Sequence, residues 1–122
     1  MLFLCYPKCS TCQKAKKWLN AHNIEYTERH IAEENPTYDE LQAWYEKSGL
    51  SLEKFFNTSG LVYKEMQLKD KLSSMSEEEQ LKFLATNGML VKRPMVITDD
   101  KVLVGFKEAE WEGTLLRAKN YR

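Results

Sequence analysis

No cysteine follows residue 12 of this 122-residue chain, although Cys5, Cys9 and Cys12 crowd its first tenth. An odd, clustered set cannot be the disulfide framework of a small secreted domain. The expected setting is a reducing cytoplasm, and the cluster reads as chemistry rather than architecture. Net charge is missing too: 18 basic and 18 acidic side chains cancel. That balance argues against a nucleic-acid-coating or membrane-surface protein, since both favour a basic excess. Long apolar runs are absent. The longest early one, Leu2 to Tyr6, stops at Pro7-Lys8, too short for a signal peptide or a membrane span. There is no internal repeat, linker or low-complexity stretch. What remains is an ordinary composition, 43% hydrophobic and 30% charged. Its length predicts one domain, residues 1–122, burying roughly two-thirds of its unfolded surface.

Met1 to Tyr6 reads as a strand buried on both faces, ended by Pro7. From Ser10 the period becomes helical, with Cys12, Ala15, Trp18 and Leu19 on one face and Gln13, Lys14, Lys16 and Lys17 outside. Ile24 to Ile31 alternates and reads as a second strand, so the opening is a strand–helix–strand unit with parallel strands. A helical middle follows. Thr37 and Glu40 form a capping box for a helix carrying Leu41, Trp44 and Tyr45 and ending at Gly49. Leu52, Phe55 and Phe56 suggest a short helix broken by Asn57-Thr58-Ser59-Gly60. Ser76 and Glu79 form a second capping box, for a helix through Leu81, Phe83 and Leu84 that stops at Asn87-Gly88. Met95 to Thr98 and Val102 to Val104 make an antiparallel hairpin around Asp99-Asp100. A last helix is expected over 107–116, before a charged, frayed tail.

Cys9-Ser10-Thr11-Cys12 lies where a buried strand turns into a helix. A cysteine at a helix N-terminus meets unpaired backbone N–H groups and the positive end of the helix dipole, which both favour the thiolate. An ordinary thiol of pKa ~8.5 is about 3% ionised at pH 7, whereas one lowered to ~7 is half ionised. Lys8 adds a neighbouring positive charge. Cys9 is therefore the expected nucleophile, and Cys12, one turn on, the thiol that resolves a mixed disulfide or sulfenic acid. Cys5 reads as a small buried strand residue.

A metal reading fits less well. Zinc would need a fourth ligand from His22 or His30, neither in a ligand-pair spacing. The Cys5-x3-Cys9-x2-Cys12 spacing also suits a four-iron cluster of the radical-enzyme kind, but such enzymes need a far larger barrel. Trp44, Tyr45, Phe55 and Phe56 at helical spacing read as core. Glu77 to Glu79 read as a solvated helix start, and Lys14, Lys16 and Lys17 as a solvated face. Arg93-Pro94, just before the hairpin, is the second chemical signal: proline is where cis peptide bonds occur, and arginine offers a planar fork for an anion or thiolate.

Together these motifs resemble a specific group. Tyr6 to Ala15, Asn57 to Tyr63, Lys92 to Val96 and Val104-Gly105-Phe106 are similar, in order, to the ArsC/Spx family of thioredoxin-like proteins. That family includes glutaredoxin-coupled arsenate reductases and the Spx redox regulators. The resemblance implies an α/β thioredoxin-like fold: a four-stranded mixed sheet with a helical segment, about 37–88, inserted between the second and third strands. It implies a Cys9–Cys12 redox pair assisted by Arg93, with Lys8, Ser10, Thr11 and Pro94 at the substrate. No cofactor or metal is expected, and an external thiol system, thioredoxin or glutaredoxin with glutathione, would restore the dithiol. Arsenate reductases hold their oxyanion with three arginines; one matches Arg93, while the other two positions fall near Asn57 and Gly105. A histidine of those enzymes falls at Cys5. For the Spx subgroup the resemblance implies a partner, the C-terminal domain of the RNA polymerase α subunit. That contact involves a glycine matching Gly49 and an arginine near Asn57. Direct nucleic-acid or membrane binding is not expected.

Overall fold

The computed structural model describes residues 1–58 and 60–116; Ser59 and the tail from 117 onward lie outside the described residues. Strand β1 (Leu2–Cys5) runs through the middle of the sheet, with Phe3, Leu4 and Cys5 all buried, as an uncharged run requires. On one side it pairs in parallel with β2 (Thr27–His30), and on the other antiparallel with β3 (Met95–Ile97). Strand β4 (Val102–Val104) pairs antiparallel with β3, giving the order β2-β1-β3-β4. This is the four-stranded mixed sheet of the thioredoxin-like α/β fold that the motifs implied. Strand β2 is shorter than the alternation over 24–31 suggested, because β1 offers only four partners in register. Ahead of it, the Ile24 N–H still bonds to Leu19 of the preceding helix, and Asn23 turns at φ 56°.

Alternation along the strands sorts side chains onto two faces. Phe3, Cys5, Val96 and Leu103 point to one layer, where helix α1 (Ser10–Ala21) delivers Cys12, Ala15, Trp18 and Leu19 as its periodicity specified. Trp111 closes this layer. Its ring packs edge-on against Phe3, Trp18 and Phe106, and its Nε1 donates to the Gly105 carbonyl at 3.1 Å. Trp111 ends α6 (Glu108–Trp111), and the chain continues as a wider π turn, Glu112–Leu116, where a single regular helix was expected.

Leu4, Met95, Ile97 and Val102 face the other layer, built from the segment between β2 and β3. Helix α2 (Tyr38–Ser48) starts on the Thr37–Glu40 capping box and ends at Gly49 with φ 70°, a left-handed position where glycine carries no Cβ penalty. A 3-10 turn, Leu52–Phe55, follows. Two five-residue helices, α3 (Leu61–Glu65) and α4 (Leu68–Leu72), then precede α5 (Glu77–Leu84), which opens on the Ser76–Glu79 capping box.

Helix α5 ends at Leu84, and Gly88 is no C-cap: with Met89 and Leu90 it forms a second 3-10 turn, capped by Asn87. Glycine is required there by contact, since a Cβ would lie 1.8 Å from the Ile31 carbonyl oxygen. Beyond this turn, Phe56 and Val91 form an isolated antiparallel bridge. It is extended by Asn57 N–H to Leu90 O at 2.7 Å and Lys92 N–H to Phe55 O at 2.8 Å. These bonds place Asn57 beside Lys92 and Arg93.

Arg29 and Glu40 fasten β2 to the helical layer. Arg29 Nη1 and Nη2 donate to the two carboxylate oxygens at 2.6 and 2.9 Å, and Nε donates to Glu34 O. The same carboxylate accepts the Thr37 N–H. The arginine's hydrogen bonds hold the Glu40 carboxyl down at about 2. A carboxylate lowered on folding stabilises the protein above the unfolded value near ~4.3, and loses that contribution as pH falls through its folded value. After solvent screening this amounts to roughly 1–2 kcal/mol. Urea unfolding from pH 7 to pH 2 should therefore show a stability loss concentrated between about 4 and 2, smaller by that amount in Glu40→Gln.

Candidate functional site at the cysteine turn

Cys9 is the N-cap of α1, with extended backbone (φ −86°, ψ 119°), and its N–H bonds back to Tyr6 O at 2.9 Å. This turn sets the partly exposed Cys9 thiol at the end of the sheet, while Cys12, one turn on, is 1% exposed beneath it. The two approach to 3.5 Å. Cys9 Sγ makes no formal capping bond, yet the N–H groups of Cys12 and Thr11 and the Cys12 thiol are directed at it. Partial burial opposes ionisation of Cys9, and these donors together with the Arg93 charge outweigh it, so the thiol is held below its ordinary value. Cys12 is displaced the opposite way. Burial raises it, against a 3.4 Å hydrogen bond from the Tyr6 N–H, and donating its proton toward Cys9 raises it further. The two thiols are therefore shifted in opposite directions, Cys9 down and Cys12 up.

Cys5 has a closer relation to this pair than a plain strand residue would. It shares a buried layer with Cys12, and burial, with the negative Glu28 beside it, pushes its thiol up to about 11. All three cysteines are free thiols.

Arg93 stands across from Cys9, joined to buried Pro94 by a cis peptide bond. Its guanidinium lies 5.1 Å from the Tyr6 ring centroid, Nη1 donates to Met89 O at 3.4 Å, and Nε is buried without a partner. A half-buried arginine tethered this way keeps its charge in place. Cys9, Thr11, Asn57, Lys92 and Arg93 line one cavity of about 470 Å³, together with Gly60, Met89 and the exposed Leu61. Among the residues singled out from the sequence, Thr11 and Arg93 join Cys9 in this lining. Lys8 and Ser10 are exposed and lie outside it. Asn57, Leu61, Met89 and Lys92 come from segments that are distant in sequence; the matched motifs covered Asn57, Leu61 and Lys92, whereas nothing in the sequence pointed to Met89.

The positions that the resemblance matched to oxyanion-binding arginines fall close by. Asn57 lines the Cys9 cavity and Gly105 the neighbouring one. Gly105 has φ +77°, and its N–H bonds to Pro94 O at 2.8 Å. An arginine there would be strained in its backbone before it reached an anion. Neither histidine joins the site: His22 caps the end of α1 against Trp18, and His30 Nδ1 accepts the Ala32 and Glu33 N–H groups. Among the described residues no group of three or more His, Cys, Asp or Glu is placed to hold a metal ion, and no helix is long and apolar enough to cross a membrane.

This chain is similar to several known proteins. An ArsC family related protein from Bacteroides fragilis has a crystal structure that superposes with a TM-score of 0.90 at 65% identity, covering 92% of this chain and 94% of its own. The uncharacterised protein YusI of Bacillus subtilis is 59% identical over 112 residues, 92% of this chain and 95% of its own. The global transcriptional regulator Spx of Staphylococcus epidermidis is 30% identical over 104 residues, 85% of this chain and 78% of its own. The ArsC family model matches residues 4–114. The chain belongs to the ArsC family.

Proposed function

We propose that this chain is a cytoplasmic thiol–disulfide oxidoreductase working through Cys9 and Cys12. The observation that carries the reading is the split pair: an accessible thiol held low beside a buried thiol held high, 3.5 Å away. Cys9 thiolate attacks one sulfur of a disulfide R–S–S–R, forming Cys9–S–S–R and releasing R–S⁻. Cys12 then attacks Cys9 Sγ, its proton leaving to the departing thiolate or to water, and releases the second R–S⁻. Two electrons have passed from the dithiol to the substrate. A dithiol carrier of thioredoxin type, or glutaredoxin with glutathione, reverses the step. Arg93 favours the thiolate form of Cys9.

Arsenate is the weaker substrate reading. One arginine remains where three would hold the oxyanion, and each missing charge-assisted hydrogen bond costs about 1.5–3 kcal/mol.

The second reading is a redox-sensing regulator of Spx type that binds the RNA polymerase α C-terminal domain. The likeness to Spx favours it, as does exposed Gly49, with open space where a Cβ would stand. One experiment separates the two. Cys12→Ser treated with oxidised glutathione should stop at one glutathione per chain on Cys9, while wild type passes on to the Cys9–Cys12 disulfide and turns over with reductant. Arsenate turnover is measured in parallel. An adduct elsewhere, or none, would overturn the oxidoreductase. Binding to the α domain that tracks the Cys9–Cys12 redox state, with no turnover, would establish the regulator instead.

A further inference from the structure

The Cys9 cavity shares part of its wall with another. Thr11, Lys92 and Arg93 also line a second cavity of about 510 Å³, which neither Cys9 nor Cys12 touches. Its surface includes apolar Phe56, Val104 and Phe106. Lys54, from the first 3-10 turn, and Lys107, after β4, join Lys92 and Arg93 around it, against the carboxylates of Glu53 and Glu110. The lining is net positive in a chain whose total charge is zero. Among the described residues no ion pair engages Lys54, Lys92 or Lys107. Gly105 also lines this second cavity, and a Cβ there would stand 3.6 Å from the Lys92 stem, an ordinary contact distance.

We propose that this second cavity is a subsite for the carboxylate-bearing part of a small peptide disulfide whose sulfur reacts at Cys9. The inference rests on the oxidoreductase reading above and names its substrate class. A tetrahedral oxyanion needs its cations converging on one point and little volume. Here the cations come from three separate segments around a cavity with apolar walls, which suits a short chain with carboxylates at different ends and carbon between them. Glu53 and Glu110 suit the ammonium group that such a peptide also carries. The covalent step is the one written above: the disulfide is the oxidant, and its bound half stays linked to Cys9 until Cys12 releases it.

The test compares three disulfides as oxidants of the reduced protein: oxidised glutathione, neutral hydroxyethyl disulfide and cationic cystamine. At low ionic strength oxidised glutathione should react about tenfold or more faster than cystamine, and the preference should shrink with added salt. In the Lys54→Glu/Lys107→Glu double variant, the ratio of the oxidised glutathione rate to the hydroxyethyl disulfide rate should fall about tenfold. Lys54→Gln/Lys107→Gln should give a smaller fall in the same direction, and serves if charge reversal disturbs folding. An unchanged ratio in both variants overturns the subsite. Equal losses with both disulfides overturn it too, because the lysines would then act on the thiol. Failure of wild type with all three would instead remove the oxidoreductase reading beneath it.

Discussion

In Cys9→Ser protein the fast phase of iodoacetamide alkylation is expected to vanish, and disulfide turnover to fall by about a thousandfold or more. Two thiols remain in that variant, but both are buried and raised, Cys5 to about 11, so neither presents thiolate at neutral pH. Unfolding is not the cause to expect. Serine is a better N-cap than cysteine, and it occupies the first turn of α1 with nearly the same shape. The melting temperature should hold or rise slightly while activity disappears. Wild type should show a complementary signature. The donors around Cys9 lower its thiol, so the alkylation rate should reach half its plateau below the pH at which free cysteine does. A midpoint at the value of free cysteine would sink the activation argument, even if Cys9→Ser were inactive.

Gly88→Ala should cost about 3 kcal/mol or more of folding stability. For a chain of this size that lowers the melting temperature by about 10 °C or more. The added methyl would sit 1.8 Å from the Ile31 oxygen and 2.7 Å from its carbonyl carbon. These are backbone atoms and cannot swing aside as a flexible side chain would. Ile31 is fully buried at the end of β2, with its N–H bonded to Cys5 O, and the 3-10 turn at Gly88 feeds the Phe56–Val91 bridge. Both sides of the clash are therefore anchored. Gly49→Ala is the useful comparison: it strains a left-handed residue but meets no atom within 4 Å, so its cost should stay near 1 kcal/mol. Equal melting temperatures for the two variants would contradict the close approach at Gly88.

What the sequence disclosed follows from how local each signal is. The Thr37–Glu40 and Ser76–Glu79 boxes are short-range hydrogen-bond patterns, and both helices begin where they indicated. Cys9 at the head of α1 was legible because Pro7 and the onset of helical period flank it. Helices α3 and α4 escaped notice since five residues cannot display a period, and Gln67 at φ 53° separates them. Gly88 carried a turn signal, but its actual reason is a close approach to Ile31, far earlier in the chain, which no local rule encodes. The cavity walls were the least visible part. Asn57, Leu61 and Met89 reach Cys9 only because the Phe56–Val91 bridge and the antiparallel pairing of β3 with β1 fold the middle of the chain back onto its start.

The two-sided sheet gives this molecule a division of labour. Cys9 and Cys12 belong to the α1 layer, and Cys9 is held low mainly by donors within one helical turn. Much of the lining of the Cys9 cavity comes instead from the opposite layer and its loops, including Asn57, Gly60, Leu61 and Met89, and Lys54 and Phe56 line the cavity beside it. Mutation can rewrite the second set without touching the electronics of the first. Under the function proposed above, substitutions in the inserted segment would change which molecule is brought to Cys9 and leave the thiol as it is. Preference would then reside in the inserted segment, and reactivity in the cysteine turn.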